Sequence, residues 1–273
     1  MAGPVRRVAV ALSFVCAAGC ALTAPPVHEV LDGSREAECA RAVEAFREAP
    51  GDVDLALRAT HALFAAADPT VQAALVEVGN ALVDPDPSAV LAAEADMPAV
   101  IRDRVLGLAT TGAEAAQAAL DALGEDPQRR DERVDANVHL ALHLSFVAWA
   151  NGPMRSLMAG YGSRITAAID RAHALDPEWD GGAPLRLEGR FLAQAPWPLA
   201  DRDRAIVLLR RAVAVAPLPI HHLFLGDVLW QDGDRDGAIA EWRAVLTSEP
   251  DDTTREVAAF HRRMAELRLG ATP

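Results

Sequence analysis

Two histidines in the segment HLALH have the spacing of a metal-binding pair. His139 and His143 stand four positions apart, so on a helix both imidazoles lie on one face, one turn apart. A zinc hydrolase of the His-Glu-x-x-His type needs a glutamate beside the first histidine as general base, but Leu140 stands there. We therefore expect two structural histidines on a long helix and assign no metal ligand. A metallohydrolase that uses this pair is the alternative.

The segment DGDRDG, Asp232–Gly237, begins like a calcium-binding EF-hand loop. Such a loop needs a bidentate carboxylate at its last coordinating position, which is Arg243 when Asp232 is counted as the first. Gly233 instead suits the left-handed residue that ends a helix, and Asp234 suits the cap of the next helix. We predict a turn between two helices here.

Composition excludes several kinds of chemistry. All 26 basic residues are arginine, so no lysine is present for a Schiff base, a phosphate-binding Gly-Lys-Ser loop or a Ser-x-x-Lys acylation site. GYGSR, residues 160–164, is not a Gly-x-Ser-x-Gly nucleophile motif. The net charge of −13 argues against binding to a nucleic-acid backbone. We predict a non-enzymatic protein without a cofactor or a nucleic-acid partner.

The N-terminus has the features of a bacterial export signal. Arg6 and Arg7 precede an apolar run of twelve residues, VAVALSFVCAAG, which is too short to span a bilayer. The sequence that ends at Cys20 resembles a lipobox, so residues 1–19 are a predicted lipoprotein signal peptide and 20–34 a tether. Ordinary cleavage after Ala21 is the alternative. The expected location is the periplasmic face of a bacterial membrane, with the outer membrane favoured, anchored by lipid on Cys20.

Beyond the tether, amphipathic segments interrupted by Gly, Pro and Asp-Pro predict an all-α fold. We divide it into an N-terminal half, 35–128, and a C-terminal half, 129–273. Asp68-Pro69 and Asp86-Pro87 are expected helix starts, since Asp caps free amides and Pro suits a first turn. The predicted helices before the repeats are 34–49, 52–67, 69–82, 87–95, 97–110, 112–123 and 130–151.

The C-terminal half contains a repeat. A set of helical-face residues followed by a proline recurs at the same offsets in three places: Ile165, Ile169, Ala172 and Pro177; Ala205, Leu209, Ala212 and Pro217; Ala238, Trp242, Val245 and Pro250. The two later sets are preceded by helices carrying Gly189 and Gly226. This resembles the tetratricopeptide (TPR) pattern, in which small residues let paired helices approach closely. It implies a stacked α-solenoid ended by a solvated closing helix, 252–269; generic helical hairpins are the alternative.

Two tryptophans flank the predicted helix 182–194, Trp179 in DPEWDGGAP and Trp197 in QAPWPLA. Aromatic side chains at the turns of a solenoid often form groove walls. We predict a binding groove that includes both, together with Trp149, His139 and His143. The alternative is that the two flanking tryptophans only cover helix ends.

The stretch of about residues 130–250, best in DPEWDGGAPLRLEG and in APWPLADRDRAIVLLRRAVAVAP, resembles the T-component family associated with TRAP transporters. Trp179, Gly181, Gly182, Gly189 and Trp197 match its pattern. The resemblance implies a TPR-like periplasmic lipoprotein with an apolar cavity, self-association as a trimer, and pairing with an extracytoplasmic solute-binding protein. The expected function is therefore an accessory component that binds a ligand or partner. The alternative is a protein–protein adaptor in envelope assembly.

Overall fold

A computed structural model describes residues 33–82, 86–196, 198–248 and 255–270 of the chain. Within these ranges the protein contains α-helices, one short 3-10 helix (Pro127–Arg129) and no strand, so the predicted all-α class is confirmed. The α-helices are α1 (Gly33–Glu48), α2 (Val53–Asn80), α3 (Pro87–Ala93), α4 (Ala99–Leu123), α5 (Arg130–Asn151), α6 (Pro153–Met158), α7 (Tyr161–Leu175), α8 (Trp179–Gln194), α9 (Arg202–Val215), α10 (Pro219–Asp232), α11 (Arg235–Thr247) and α12 (Arg255–Arg268).

Helix α2 is continuous through Pro69, so the predicted break between 52–67 and 69–82 is wrong. Asp68 does not cap a new helix; it is buried, and its Oδ2 accepts a hydrogen bond from Gln72 Nε2 at 2.6 Å. Thr70 Oγ1 donates to the main-chain oxygen of Ala66. The apolar residues of α2 pack along its whole length, and this burial overrides the local signal of the proline. The expected start at Asp86-Pro87 is confirmed, since Asp86 caps α3.

Helix α4 is also continuous, so the predicted division into 97–110 and 112–123 is wrong. The glycine responsible for that division has a packing role, because a Cβ at Gly112 would lie 2.2 Å from His143 Cε1. The main-chain oxygen of Gly112 also accepts a hydrogen bond from Thr60 Oγ1 at 3.0 Å. Gly112 therefore lets α2, α4 and α5 meet closely without ending a helix.

Helices that follow each other along the chain pack in pairs. Helix α2 packs on α4, α4 on α5, α5 on α7, α8 on α9 and α10 on α11. Helix α10 also contacts α9 and α12. Asp180, Gly181 and Gly182 follow Trp179, and all three have positive φ. The regular part of α8 therefore begins after Gly182. This agrees with the predicted helix from 182.

The last helix does not solvate an end of the fold as expected. Within the predicted range 252–269, residues 255–268 form α12, and its apolar face is buried. It contacts α2, α3, α10 and α11, and a Cβ at Gly79 of α2 would lie 2.4 Å from Leu267 Cδ1. The buried side chains of α12 are Ala258, Phe260, His261, Met264, Ala265, Leu267 and Arg268.

A single apolar cluster joins side chains from α2 to α12, so it includes residues of both predicted halves. The division at 128/129 stays a prediction. Among the described helices none is both long enough and apolar enough to cross a membrane. The predicted signal peptide, the lipidation residue Cys20 and nearly all of the tether lie outside the described residues.

Candidate functional site

Two successive hairpins are built on the same close contact. A Cβ at Gly189 of α8 would lie 2.7 Å from Leu209 Cγ and 3.2 Å from the main-chain oxygen of Ala205, both on α9. A Cβ at Gly226 of α10 would lie 2.5 Å from Trp242 Nε1 and 3.1 Å from the main-chain oxygen of Ala238, both on α11. The residues assigned to repeat packing thus meet in pairs, as their spacing predicts. Pro217 lies two residues after the end of α9, whereas Pro250 lies outside the described residues.

A network of buried charges joins these hairpins to α12 and to the end of α3. Arg268 Nε lies 2.5 Å from Asp227 Oδ1, and Arg268 Nη2 lies 2.9 Å from Glu94 Oε2. Asp227 also accepts from Arg190 Nη1 at 3.0 Å and from Trp242 Nε1 at 3.2 Å. All five side chains are buried. Charges removed from water need such mutual pairing, because an unpaired buried ion is strongly destabilising.

The two carboxylates favour the charged form of Arg268. Burial disfavours the charged form of Arg268, but the carboxylates of Asp227 and Glu94 outweigh this and raise the pKa of its guanidinium above the ordinary value. Burial raises the pKa of Glu94, and Arg268 opposes that rise. The guanidinium of Arg190 also lies over the ring of Phe224, 4.5 Å from its centroid. The network is a fixed polar centre inside an apolar fold.

Helices α8 and α10 have no open face over most of their length. Every residue of α8 from 182 to 191 is buried, and so is every residue of α10 from 219 to 229 except His222. His222 is partly buried, and its Nδ1 pairs with Glu241 Oε2 at 2.6 Å. His221 is buried, and its Nε2 lies 2.8 Å from Arg186 Nη1. Both histidines therefore pack within the fold.

Two of the residues predicted to line a groove, Trp149 and His139, are buried at separate points of α5. Trp149 is buried on α5 and donates from Nε1 to the main-chain oxygen of Ala95 at 3.1 Å. His139, ten residues earlier on the same helix, is also buried and lies about 15 Å away along the axis. Trp179 is half-buried against the apolar cluster. Trp197 lies outside the described residues, so the groove between the two flanking tryptophans stays a prediction.

His139 and His143 do not act as a pair. The Nε2 of His143 lies 3.1 Å from the main-chain oxygen of Thr60, to which it donates. Burial lowers the pKa of His143 to about 3, so this imidazole is neutral at physiological pH. It fills the space beside Gly112 and is a packing residue, as predicted, although both histidines are fully buried rather than half-buried.

His139 instead belongs to a cluster that also contains His61 of α2 and Asp135 of α5. His61 Nε2 lies 2.8 Å from Asp135 Oδ2, and His139 Nδ1 lies 2.8 Å from Asp135 Oδ1. The two imidazole centroids are 4.4 Å apart. One nitrogen from each histidine and one carboxylate oxygen lie within 4.8 Å of one another. Among the histidine, cysteine and acidic side chains of the described residues, this is the group whose spacing could hold a metal ion.

Burial and partners make Asp135 a stable carboxylate. Burial alone would raise the pKa of Asp135, but the imidazoles of His139 and His61 outweigh that effect and hold the pKa well below its usual range. The side chain of Asp135 is 14% exposed, that of His61 27% and that of His139 0%. The cluster is therefore open to solvent on the side of His61 and closed by the protein on the side of His139.

The predicted turn at Asp232–Gly237 is confirmed. Gly233 has φ of 100° and ends α10, and the Asp234 carboxylate accepts from the main-chain nitrogen of Gly237 at 2.9 Å. Arg235, between Asp234 and Asp236, stacks over the Trp230 ring at 3.7 Å from its centroid. The Asp234 carboxylate of this calcium-loop-like motif thus caps α11.

Sequence reasoning missed the pairing of His61 with Asp135 because 74 positions separate them. The closing helix was expected to be solvated, whereas its Arg268 is buried together with Asp227 and Glu94. The spacing of Asp135 and His139, one helical turn, was a usable signal. His61 could be found only from the packing of α2 against α5.

Together the described elements define an all-α protein of paired helices with a polar centre and a separate histidine–aspartate cluster. No known protein family matches the chain, and no curated protein matches it either.

Proposed function

We propose that the protein is a lipid-anchored, non-enzymatic component of the bacterial envelope, with a TPR-like solenoid in its C-terminal half. In this role it is an accessory component of a TRAP-type solute transporter and binds a small ligand or an extracytoplasmic solute-binding protein. The observation that carries the proposal is the repetition of one glycine contact: Gly189 of α8 packs against α9, and Gly226 of α10 packs against α11. A TPR-like stack requires that contact, and Gly189 is also one of the residues on which the resemblance to the T-component family rests.

The order of helix contacts supports a stacked arrangement. Helix α8 pairs with α9 and α10 with α11, while α10 also contacts the preceding α9 and the following α12. Each hairpin therefore contacts its neighbour along the chain, as in other repeat proteins. Ile165, Ile169 and Ala172 of α7 are buried, and α7 packs on α5, so the first repeat is formed by these two helices.

The buried faces of α8 and α10 favour this role over the peptide adaptor. An adaptor of the TPR type needs an open groove along the first helices of its hairpins. Here α8 is buried from 182 to 191, and α10 packs against α12. A peptide would have to displace α12 and the charged network around Asp227. We therefore place the partner-binding surface outside these faces, with Trp179 and the segment up to Gly182 as the first region to test.

The test is purification of the full chain, cross-linked in its native envelope, together with native mass spectrometry of the purified protein. We expect enrichment of a solute-binding protein of the TRAP class, or a bound small molecule that survives purification. Trp179→Ala should weaken the association about tenfold or more, since half-buried aromatic anchors dominate binding energies. Trp230→Ala is the matched control, because Trp230 is also a half-buried tryptophan and lies on another part of the surface.

Two results would contradict the proposal. The first is absence of both a bound ligand and a solute-binding protein in the wild-type sample. The second is equal loss of association in the Trp179 and Trp230 variants.

Lipid attachment is tested separately with Cys20→Ala, which should abolish labelling by a fatty acid and release the protein from the membrane fraction. Retained labelling would exclude Cys20 as the lipidated residue.

A further inference from the structure

The His61–Asp135–His139 cluster has the donor set of a transition-metal site. Two imidazoles and one carboxylate are ligands that zinc and its first-row neighbours accept in proteins. Asp135 and His139 are one turn apart on α5, so both side chains project from one face of that helix. His61 reaches them from α2, which packs on α5. Ligands from two helices that are fixed by the core need little reorganisation to bind an ion.

The distances are close to those that a bound ion requires. In a tetrahedral zinc site with bonds of about 2.0–2.1 Å, two ligand atoms are about 3.3 Å apart. The contacts of Asp135 with His61 and His139 are both 2.8 Å, and all three ligand atoms lie within 4.8 Å of one another. Small shifts of the three side chains would place an ion between them.

The hydrogen bonds of the cluster leave one carboxylate oxygen without a donor. The Nδ1 of His139 forms a hydrogen bond with the main-chain oxygen of Asp135, at 3.1 Å, and Asp135 Oδ1 lies 2.8 Å from the same nitrogen. This carboxylate oxygen is buried, and none of the described residues gives it a well-directed hydrogen bond. A buried carboxylate oxygen without a donor is destabilising, and a cation would satisfy it. A closed hydrogen-bonded triad does not account for this oxygen.

We propose that His61, Asp135 and His139 bind a divalent transition-metal ion, with zinc the ion that best suits the donor set. The partly exposed His61 provides the entry path, and solvent supplies the remaining ligand. Phe64 closes the inner side, with its ring 5.8 Å from that of His139 in an edge-on arrangement. The site lies on α2 and α5, outside the α8–α11 hairpins, so it is independent of the transporter role proposed above.

The test uses the full chain, freed of metal by a chelator and then titrated with Co²⁺, which accepts the same ligands as zinc and is coloured. We expect saturable binding of about one Co²⁺ per chain, with the visible absorption of a low-coordinate site, and displacement by Zn²⁺. His61→Ala should weaken binding by about 100-fold or more, because loss of a ligand exceeds the effect of losing a supporting group. Asp135→Asn should weaken it similarly while keeping the shape of the side chain.

His222→Ala is the matched control. His222 is another partly buried helical histidine that pairs with a carboxylate, Glu241, and its removal should leave Co²⁺ binding unchanged. Circular dichroism checks that each variant is folded, and His61 is the most exposed of the three ligands, so its removal perturbs the core least. Absence of saturable binding by the wild-type chain would overturn the proposal. Equal weakening by His222→Ala and His61→Ala would also overturn it.

Discussion

The substitution Gly226→Ala tests the close contact on which the α10–α11 hairpin depends. The added Cβ would lie 2.5 Å from Trp242 Nε1, and Trp242 is fully buried, so either the ring or α11 must move. Overpacking of a well-packed core destabilises by about 1–3 kcal/mol. Movement of the ring also weakens its 3.2 Å hydrogen bond to Asp227, which adds about 1 kcal/mol.

One effect acts in the opposite direction. Alanine is favoured over glycine inside a helix by about 1 kcal/mol, because it loses less backbone entropy on folding. The net expectation for Gly226→Ala is therefore a free energy of unfolding lower by about 1–3 kcal/mol. For a chain of this size that lowers Tm by about 2–10 °C.

Gly107→Ala is the matched control for this prediction. Gly107 is exposed in α4, and nothing lies within 4 Å of the position of its Cβ. The same substitution should therefore raise the free energy of unfolding by about 1 kcal/mol. Urea unfolding followed by circular dichroism measures both variants. The reasoning is refuted if Gly226→Ala is as stable as Gly107→Ala, because the helix-propensity contribution is common to both.

Three further predictions concern buried or capping charges. Asp234→Ala should lower the free energy of unfolding by about 1 kcal/mol through loss of the α11 cap, and Ca²⁺ should leave the Tm of the wild-type protein unchanged. Burial raises the pKa of Asp68 to about 8, so between about pH 4 and pH 8 the folded state keeps a proton that the unfolded state releases. The free energy of unfolding therefore falls across this range by about 1.4 kcal/mol per pH unit. Asp68→Asn should remove that slope in a series of thermal melts. Arg268→Met leaves Asp227 and Glu94 without their shared cation and should destabilise by about 3–5 kcal/mol in urea unfolding.

Each of these predictions has a control and an outcome against it. Asp236→Ala removes an acidic residue from the same turn of α11 without removing the cap, and an equal loss would show that Asp234 acts only through its charge. For Asp68→Asn, an unchanged pH slope would mean that Asp68 is ionised in the folded state. Arg211→Met removes an exposed ion pair with Glu178 and should cost less than about 1 kcal/mol. Equal effects of Arg211→Met and Arg268→Met would contradict the importance of burial.

The part of the fold that could be predicted from the sequence is the part set by local spacing. Gly226, Ala238 and Trp242 were recognisable because small and large residues recur at fixed intervals, and such intervals fix which side chains meet across a hairpin. The cap at Asp234 was predictable for the same reason, since capping involves residues three positions apart. These features need only neighbouring positions in the chain.

The remaining features depend on contacts between distant segments. Pro69 and Gly112 are local helix-ending signals, but packing with other helices holds α2 and α4 continuous. The pair of His61 with Asp135 joins positions 74 apart, and that of Arg268 with Glu94 joins positions 174 apart. A single sequence contains no signal for these distances, so the charged residues of the core were taken as solvated.

The position of α12 has a consequence for how the protein reaches its folded state. Leu267 packs on α2, and Arg268 pairs with Glu94, so α12 completes contacts with helices that lie far earlier in the sequence. Contacts over such separations form late and slowly, because the ends of a long segment must first meet. A chain that lacks α12 would leave the buried carboxylates of Asp227 and Glu94 without Arg268. The contacts of α2 and α3 with α12 are therefore completed only after α12 itself has been synthesised.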